Sequence, residues 1–289
     1  PLVLCFKRRF RCRSYLILRD LFPDWAVDAG VLRRGGLAHQ LLKAVERFQY
    51  RQADVIGVQT PANLAIVAAD APRQVALEVL HNWLDVPAAS MVASDHPILA
   101  EFCDRKIFVY AGNMGVAQDM GAFIDLAHAL RHRSDIGFLL IGRGSEKALL
   151  TSKIDAMHLE NIRVEDQVPQ EVLSGLLAHC YAGIVALHPS HATHNIPGKF
   201  LTYLQAGLPI LARVNPGNDL HDLVRNERVG ASVVGESLSA LVEAVEYLAA
   251  DKNAGREMGQ RGRVISDRLF SPGAAASQIL RALSARQAS

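Results

Sequence analysis

Short apolar runs alternate with segments of helical periodicity along this chain, and that alternation restricts the fold more than any other feature. The runs lie at Tyr15 to Leu18, Val55 to Val58, Val75 to Leu80, Ile107 to Tyr110, Gly137 to Ile141, Ile162 to Val164, Gly183 to Leu187, Pro209 to Ala212 and Ala231 to Val234. Each has the length of a strand. Between most of them, Leu37 to Tyr50, Met120 to Arg131, Gln170 to His179, Lys199 to Ala206, Ser237 to Ala249 and Ala254 to Leu269 repeat apolar residues every three or four positions. Strands alternating with helices predict parallel sheets covered by helices, an α/β protein.

With 289 residues, half of them apolar, the chain suits two domains better than one. The periodicity lapses between about residues 86 and 105, where Val86-Pro-Ala-Ala-Ser precedes Ser94-Asp-His-Pro97. We therefore expect a first domain over residues 1–90, a linker over 91–104, a second domain over 105–271 and a terminal helix over 272–289 that returns to the first domain. The first domain has about three strands and starts inside an apolar run, so it reads as incomplete.

Four cysteines, Cys5, Cys12, Cys103 and Cys180, stand far apart without a CxxC pair, which suggests neither a zinc site nor a disulfide framework and agrees with a cytoplasmic setting. No apolar run reaches the roughly 18 residues of a membrane span. Residues 1–51 hold eleven Lys/Arg against four Asp/Glu, although the whole chain carries a net charge of only +2. Lys7, Arg8, Arg9, Arg11 and Arg13, interleaved with Phe6, Phe10 and Tyr15, suit either an anionic membrane surface or a solvated turn before a strand. The stripe is too short for nucleic acid, and no recognition motif accompanies it.

In open α/β sheets, ligands bind at the carboxyl ends of strands, so the loops there carry the functional expectation. Tyr110-Ala-Gly-Asn-Met-Gly115 and Ile141-Gly-Arg-Gly-Ser-Glu146 each pass from a strand through glycines toward a helix. Backbone N–H groups around Gly112, Asn113 and Gly115 would face an anion, and Arg143 would grip a phosphate or stand as a solvated charge. Gln167 and Val168 open a third loop, where backbone groups would read a base edge or simply start a helix. The fourth loop holds His188, His191, His194, Asn195, Gly198 and Lys199, followed by a helix. Its glycine, lysine and helix N-terminus compose an anion site. Pro189 breaks any helix that would align the three histidines, and no carboxylate stands nearby, so no metal is expected.

Taken together, Asn195 to Ala212, Tyr110 to Gly115, Ile141 to Glu146 and Arg256 to Arg263 with Phe270-Ser271 resemble, in order and spacing, the family 4 retaining glycosyltransferases. Leu18-Arg-Asp-Leu-Phe-Pro-Asp24, Ala53-Asp-Val-Ile56 and Leu80-His-Asn-Trp-Leu-Asp85 extend the resemblance upstream. The form Asn-Ile-Pro-Gly-Lys-Phe-Leu is similar to enzymes of O-antigen and capsule assembly, the N-acetylfucosamine transferases among them.

The resemblance implies a GT-B fold, two Rossmann-like doubly wound domains, and a metal-free, cofactor-free transfer from a nucleotide-sugar, UDP-linked, to a lipid-linked saccharide. On it we expect donor contacts from Gly112, Asn113, Gly115, Gln167, Val168, His188, His194, Asn195, Gly198 and Thr202, and take Lys199, Asp20 and Arg143 as catalytic candidates, Arg143 standing where the family more often has an acidic residue. Two departures qualify it. His194 and Thr202 occupy the positions of the family's paired glutamates, and Asn113 and Asp119 those of an arginine and a lysine that bind diphosphate. Arg143 and Lys199 are expected to supply the missing charge. Other readings are a nucleotide-sugar binding protein without catalysis, and a sugar-nucleotide epimerase, which the scarcity of carboxylates in these loops disfavours.

Overall fold

The computed structural model describes residues 2–28, 30–85, 96–102, 104–190 and 196–285. The expected boundary near residue 90, together with His191, His194 and Asn195, lies outside the described residues. In chain order the elements are α1 (Leu2–Phe10), β1 (Tyr15–Leu18), α2 (Asp24–Asp28), α3 (Leu37–Gln52), β2 (Val55–Val58), α4 (Pro61–Asp70), β3 (Ala76–Val79), β4 (Lys106–Ala111), α5 (Gly121–Ala129), β5 (Ile136–Ile141), α6 (Lys147–Ala156), β6 (Ile162–Glu165), α7 (Gln170–Leu177), β7 (Ala182–Ala186), α8 (Gly198–Ala206), β8 (Ile210–Val214), α9 (Asp219–Asn226), β9 (Gly230–Val234), α10 (Leu238–Ala250), α11 (Lys252–Leu269) and α12 (Pro272–Ser284). Short 3-10 turns cover Pro97–Phe102 and Val116–Gln118.

The chain forms two compact units. The first comprises Pro1–Trp83, Ala192–Ile196 and Leu269–Ser289, the second Leu84–His191 and Pro197–Arg268. In the first, β1, β2 and β3 lie side by side in that order, all parallel, with Tyr15 opposite Val55 and Val55 opposite Ala76. Tyr50, Ile56, Val58, Val67 and Val75 make its core. Helix α12 belongs to this unit because Gln278 Nε2 donates to Glu78 Oε1 at 3.0 Å and to the carbonyl of Val79 at 2.8 Å.

The amino-terminal stretch departs from expectation. Residues Leu2–Phe10 are a helix and not a solvated turn, with Leu2, Phe6 and Phe10 recurring at four-residue spacing. Arg11, at φ 50°, stops it and donates its amide to the carbonyl of Lys7 at 2.9 Å. Two cations of the basic stripe are turned inward. Lys7 pairs with Asp54 at 2.7 Å, and Arg13 donates to the carbonyls of Ala282 and Leu283 at the end of α12. Arg8, Arg9 and Arg11 stay exposed.

The second unit holds six parallel strands in the order β6-β5-β4-β7-β8-β9. Strands β5, β7 and β8 are buried along their whole length, which is why they read as continuous apolar runs. Phe108, Phe123, Phe138, Ile184 and Leu211 belong to one core across the sheet. The order reverses between β4 and β7, so the crevice at their carboxyl ends is the topological switch point where such sheets take ligands. Gly183 lets β7 lie against α8, since a Cβ there would meet the Tyr203 ring at 2.3 Å.

Candidate functional site

Beyond the carboxyl end of β4 the chain bends sharply under the control of two tyrosines. Tyr203, fully buried on α8, accepts the amide of Ala111 on its hydroxyl at 2.7 Å. Tyr110, the last fully buried residue of β4, donates its hydroxyl to the carbonyl of Asn113. The Tyr110 hydroxyl also accepts from Lys199 Nζ at 2.9 Å, and the ammonium lies 4.4 Å from the Tyr110 ring centroid. Lys199, from the first turn of α8, is thereby drawn beneath the loop after β4, with Gly112 directly over it. A Cβ at Gly112 would stand 3.1 Å from Lys199 Cε.

Burial disfavours the charged ammonium and pushes the Lys199 pKa down to about 8. The same burial raises the Tyr110 hydroxyl. Lys199 therefore has a neutral phenol and a ring face for partners, and among the described residues no carboxylate pairs with it. A half-buried cation without a counter-ion, at the positive end of a helix, is an arrangement an incoming anion would complete.

The glycine loops after β4 and β5 stack backbone against backbone. The amide of Gly112 donates to the carbonyl of Ile141 at 2.9 Å, Met114 to Arg143 at 2.7 Å, and Glu146 back to Met114 at 3.0 Å. Gly142 and Gly144, both at φ 153°, allow this approach. These bonds correct one expectation. The amides of Gly112 and Met114 are spent between the loops, and that of Gly115 is capped by Gln118 Oε1 at 3.2 Å, so they do not point at a ligand. The 3-10 turn Val116–Gln118 separates this loop from the helix expected over Met120 to Arg131, which starts at Gly121. At the start of α8 the amides of Gly198 and Lys199, as the first residues of the helix, have no intrahelical acceptor and are available to an anion. Glycine at 198 is not required by conformation, and a Cβ there would meet nothing, so its value is an open approach.

Other predicted residues fall around this cluster. His188, after β7, donates its amide to Ala117 at 2.9 Å, while its Nδ1 accepts the Ser190 amide at 3.1 Å. Accepting at Nδ1 leaves Nε2 to carry the proton of the neutral ring. Arg143 projects from the loop after β5 as an exposed side chain without an ion-pair partner among the described residues. Thr202 begins the second turn of α8, its hydroxyl 3.5 Å from the carbonyl of Gly198. Gln167 is exposed and Val168 half-buried in the loop after β6, and neither side chain bonds to Lys199, Tyr110 or Arg143. Asp20 belongs to the first unit, on an exposed bend after β1.

Sequence reasoning missed Arg213 and the part played by Tyr110. Arg213 is 2 % exposed at the carboxyl end of β8 and holds Asp119 Oδ2 at 2.7 Å and the carbonyl of Gly235 at 3.1 Å. Asp119, where the resemblance leads one to expect a diphosphate-binding lysine, is thus a structural partner that ties the loop after β4 to β8. An arginine inside Ile-Leu-Ala-Arg-Val was the available signal, because a buried arginine needs a partner. Among the described residues no group of three or more His, Cys, Asp or Glu is placed to hold a metal ion.

A family model described as glycosyl transferases group 1 matches residues 105–251. WbjE of Pseudomonas aeruginosa, named as a probable glycosyltransferase, is 25 % identical over 243 residues, covering 81 % of this chain and 59 % of that protein. WcaI of Escherichia coli (strain K12), named for a colanic acid biosynthesis glycosyl transferase, is 25 % identical over 262 residues, covering 86 % and 64 %. The chain thus spans less than two thirds of the length of either relative. Among solved structures, Anabaena Alr3699/HepE in complex with UDP superimposes with a TM-score of 0.73 at 15 % identity over 98 % of this chain and 76 % of that one. WaaG, a glycosyltransferase involved in lipopolysaccharide biosynthesis, gives 0.64 at 12 % identity over 99 % and 81 %. The fold is accordingly of the GT-B class, with Rossmann-like parallel sheets. The matched span covers half the chain and carries β4, the stacked glycine loops and the Lys199 turn, so this chain belongs to the group 1 glycosyltransferases.

Proposed function

We propose that the protein transfers a hexosyl or N-acetylaminosugar unit, with retention of configuration, from a UDP-linked donor to a lipid-linked saccharide during surface polysaccharide assembly, in the manner of family 4 enzymes of the N-acetylfucosamine type. One observation carries the reading: Lys199, half-buried over Tyr110 at the start of α8 and at the switch point of the sheet, has no carboxylate partner among the described residues. Its ammonium and the first amides of α8 would receive the diphosphate, with Arg143 adding charge from the neighbouring loop. Such fixed donors stabilise the negative charge that develops on a departing diphosphate. His188, His194, Asn195 and Thr202 would contact the sugar and ribose, and Asp20 would orient acceptor or donor sugar. Transfer needs no cofactor in this scheme. The relatives' names and the UDP held by the solved HepE support it.

The test is a thermal-stability panel with UDP, GDP and their sugars, followed by NMR assignment of the product anomer. At about 100 times its Kd, the donor nucleotide stabilises the fold by about 2.7 kcal/mol, a rise of several degrees in Tm. A flat response to every nucleotide overturns the reading. A shift without transfer would favour the second reading, a nucleotide-sugar binding protein, to which the missing carboxylate at Thr202 also points.

We also propose that α1 meets an anionic membrane surface on the cytoplasmic side. Leu2, Val3, Phe6 and Phe10 are 77, 51, 55 and 61 % exposed on one side of the helix, with Arg8, Arg9 and Arg11 beside them. Apolar residues flanked by cations suit a helix lying in a membrane interface. Among the described residues no helix is long and apolar enough to cross a membrane. Flotation with phosphatidylglycerol-containing vesicles is expected to carry the protein, and Phe6→Ser with Phe10→Ser to abolish it. Equal recovery with neutral phosphatidylcholine vesicles would refute the charge component.

A further inference from the structure

A second anion site is built at the other end of the same sheet. Gly230, the first residue of the edge strand β9, lies opposite Ile210, the first residue of β8, so this end is the amino-terminal one. Here a groove of about 410 Å³ is lined by Arg225, Arg228, Arg261, Ser232, Tyr247 and Met258, together with the start of β9. Three arginines line it, and its lining contains no carboxylate. They come from separate segments, Arg225 from the last turn of α9, Arg228 from the turn that follows it and Arg261 from α11.

Internal bonds orient these groups. Arg261 Nε donates to the carbonyl of Arg228 at 2.9 Å, which fixes the root of its guanidinium. Arg228 itself sits at φ 53°, a left-handed turn that closes α9. Arg225 Nη1 lies 3.5 Å from His221 Nε2, and His221 Nδ1 lies 3.1 Å from Ser232 Oγ. An arginine only donates, so in the tautomer that accepts at Nε2 the Nδ1–H donates to the serine oxygen, and the Ser232 hydroxyl hydrogen can turn to a ligand in the groove. Glu257 lies 3.6 Å from Arg261 Nη1, outside the lining, and partly offsets its charge.

Tyr247, 61 % exposed, forms an aromatic wall over this floor of donors. Planar guanidinium groups grip phosphate oxygens in pairs, and an exposed aromatic face packs on a sugar ring. From this geometry we infer that the groove binds a diphosphate-bearing saccharide, separately from the site at Lys199. The same chemistry is offered by a soluble sugar diphosphate and by a lipid-linked diphosphate headgroup.

Calorimetry with inorganic pyrophosphate tests the inference without depending on the donor-site reading. Wild-type protein is expected to show one binding event at this groove, and a second where the Lys199 site also takes pyrophosphate. Arg225→Gln with Arg228→Gln, both exposed positions, is expected to weaken the groove event at least tenfold while UDP binding stays unchanged. Lys199→Met is expected to spare that event, and Ser232→Ala to weaken it several-fold with the circular dichroism spectrum intact. Cosedimentation with phosphatidylcholine vesicles doped with geranylgeranyl diphosphate identifies the source: capture that is lost in the Arg225/Arg228 variant supports a lipid-borne headgroup, and binding of pyrophosphate without capture supports a soluble one. Wild-type pyrophosphate binding in the double arginine variant overturns the site. So does a single event that disappears with Lys199→Met.

Discussion

Replacing Lys199 with methionine is expected to cut UDP affinity at least tenfold at pH 7, about 1.4 kcal/mol, while the fold keeps or gains stability. The two effects have one cause. Burial holds the Lys199 ammonium at a pKa of about 8, below the ordinary lysine value of 10.5. The folded chain therefore binds fewer protons than the unfolded chain between about pH 8 and that ordinary value, and its stability contribution improves as pH rises through this window. Below pH 8 the buried charge is a cost, which methionine removes at nearly the same length. The Tyr110 hydroxyl loses a donor but still donates to Asn113, so the loop keeps its anchor.

A bound diphosphate reverses the balance by giving the ammonium its missing counter-charge. Its pKa then rises, and UDP binding above pH 8 takes up a proton. Wild-type affinity is expected to fall as pH climbs past about 8, whereas the methionine variant shows no such dependence there. Calorimetry in buffers of different ionisation enthalpy reads the proton directly. A large loss of Tm with UDP affinity unchanged would make Lys199 a structural residue and remove it from the site.

The physical basis of this site was partly legible in the chain. Strands buried on both faces announce themselves as apolar runs, and β4, β5, β7 and β8 are of this kind or close to it. The run Gly198-Lys199-Phe200, which opens a helix, was readable as a candidate anion site from its glycine, its lysine and the helix start. Bonds between distant segments were not legible. That Lys199 rests on Tyr110, 89 positions away, or that Asp119 answers Arg213 across 94 positions, depends on the order in which strands pair. Short helices also escaped periodicity, and α4 is too uniformly apolar to show a helical period, although Thr60 as N-cap and Pro61 as first residue were a local signal that was available. The glycines of the stacked loops were read as phosphate cradles because the spacing suits both roles, and only their φ angles and neighbours separate the two.

Gly142→Ala is expected to be strongly destabilising, one of the largest effects of a single methyl in the second unit. Gly142 has φ 153°, which an L-residue adopts only under strain. A Cβ there would lie 1.9 Å from the carbonyl oxygen of Gly112 and 2.9 Å from its carbon. No side chain can swing away to relieve this, because the obstacle is backbone held by the bond from the Gly112 amide to Ile141. Backbone strain and overpacking each cost about 1–3 kcal/mol, so a loss of about 4 kcal/mol is expected in urea denaturation. The damage travels to the site, since Gly112 is also the residue lying on Lys199 Cε. UDP affinity should fall with stability. Gly198→Ala separates the two effects: its Cβ meets nothing and its backbone is helical, so stability stays within about 0.5 kcal/mol while the approach to the first amides of α8 narrows. Normal stability and normal UDP binding in Gly142→Ala would mean that the two loops are not locked against each other, and that the placement of Lys199 does not depend on their stacking.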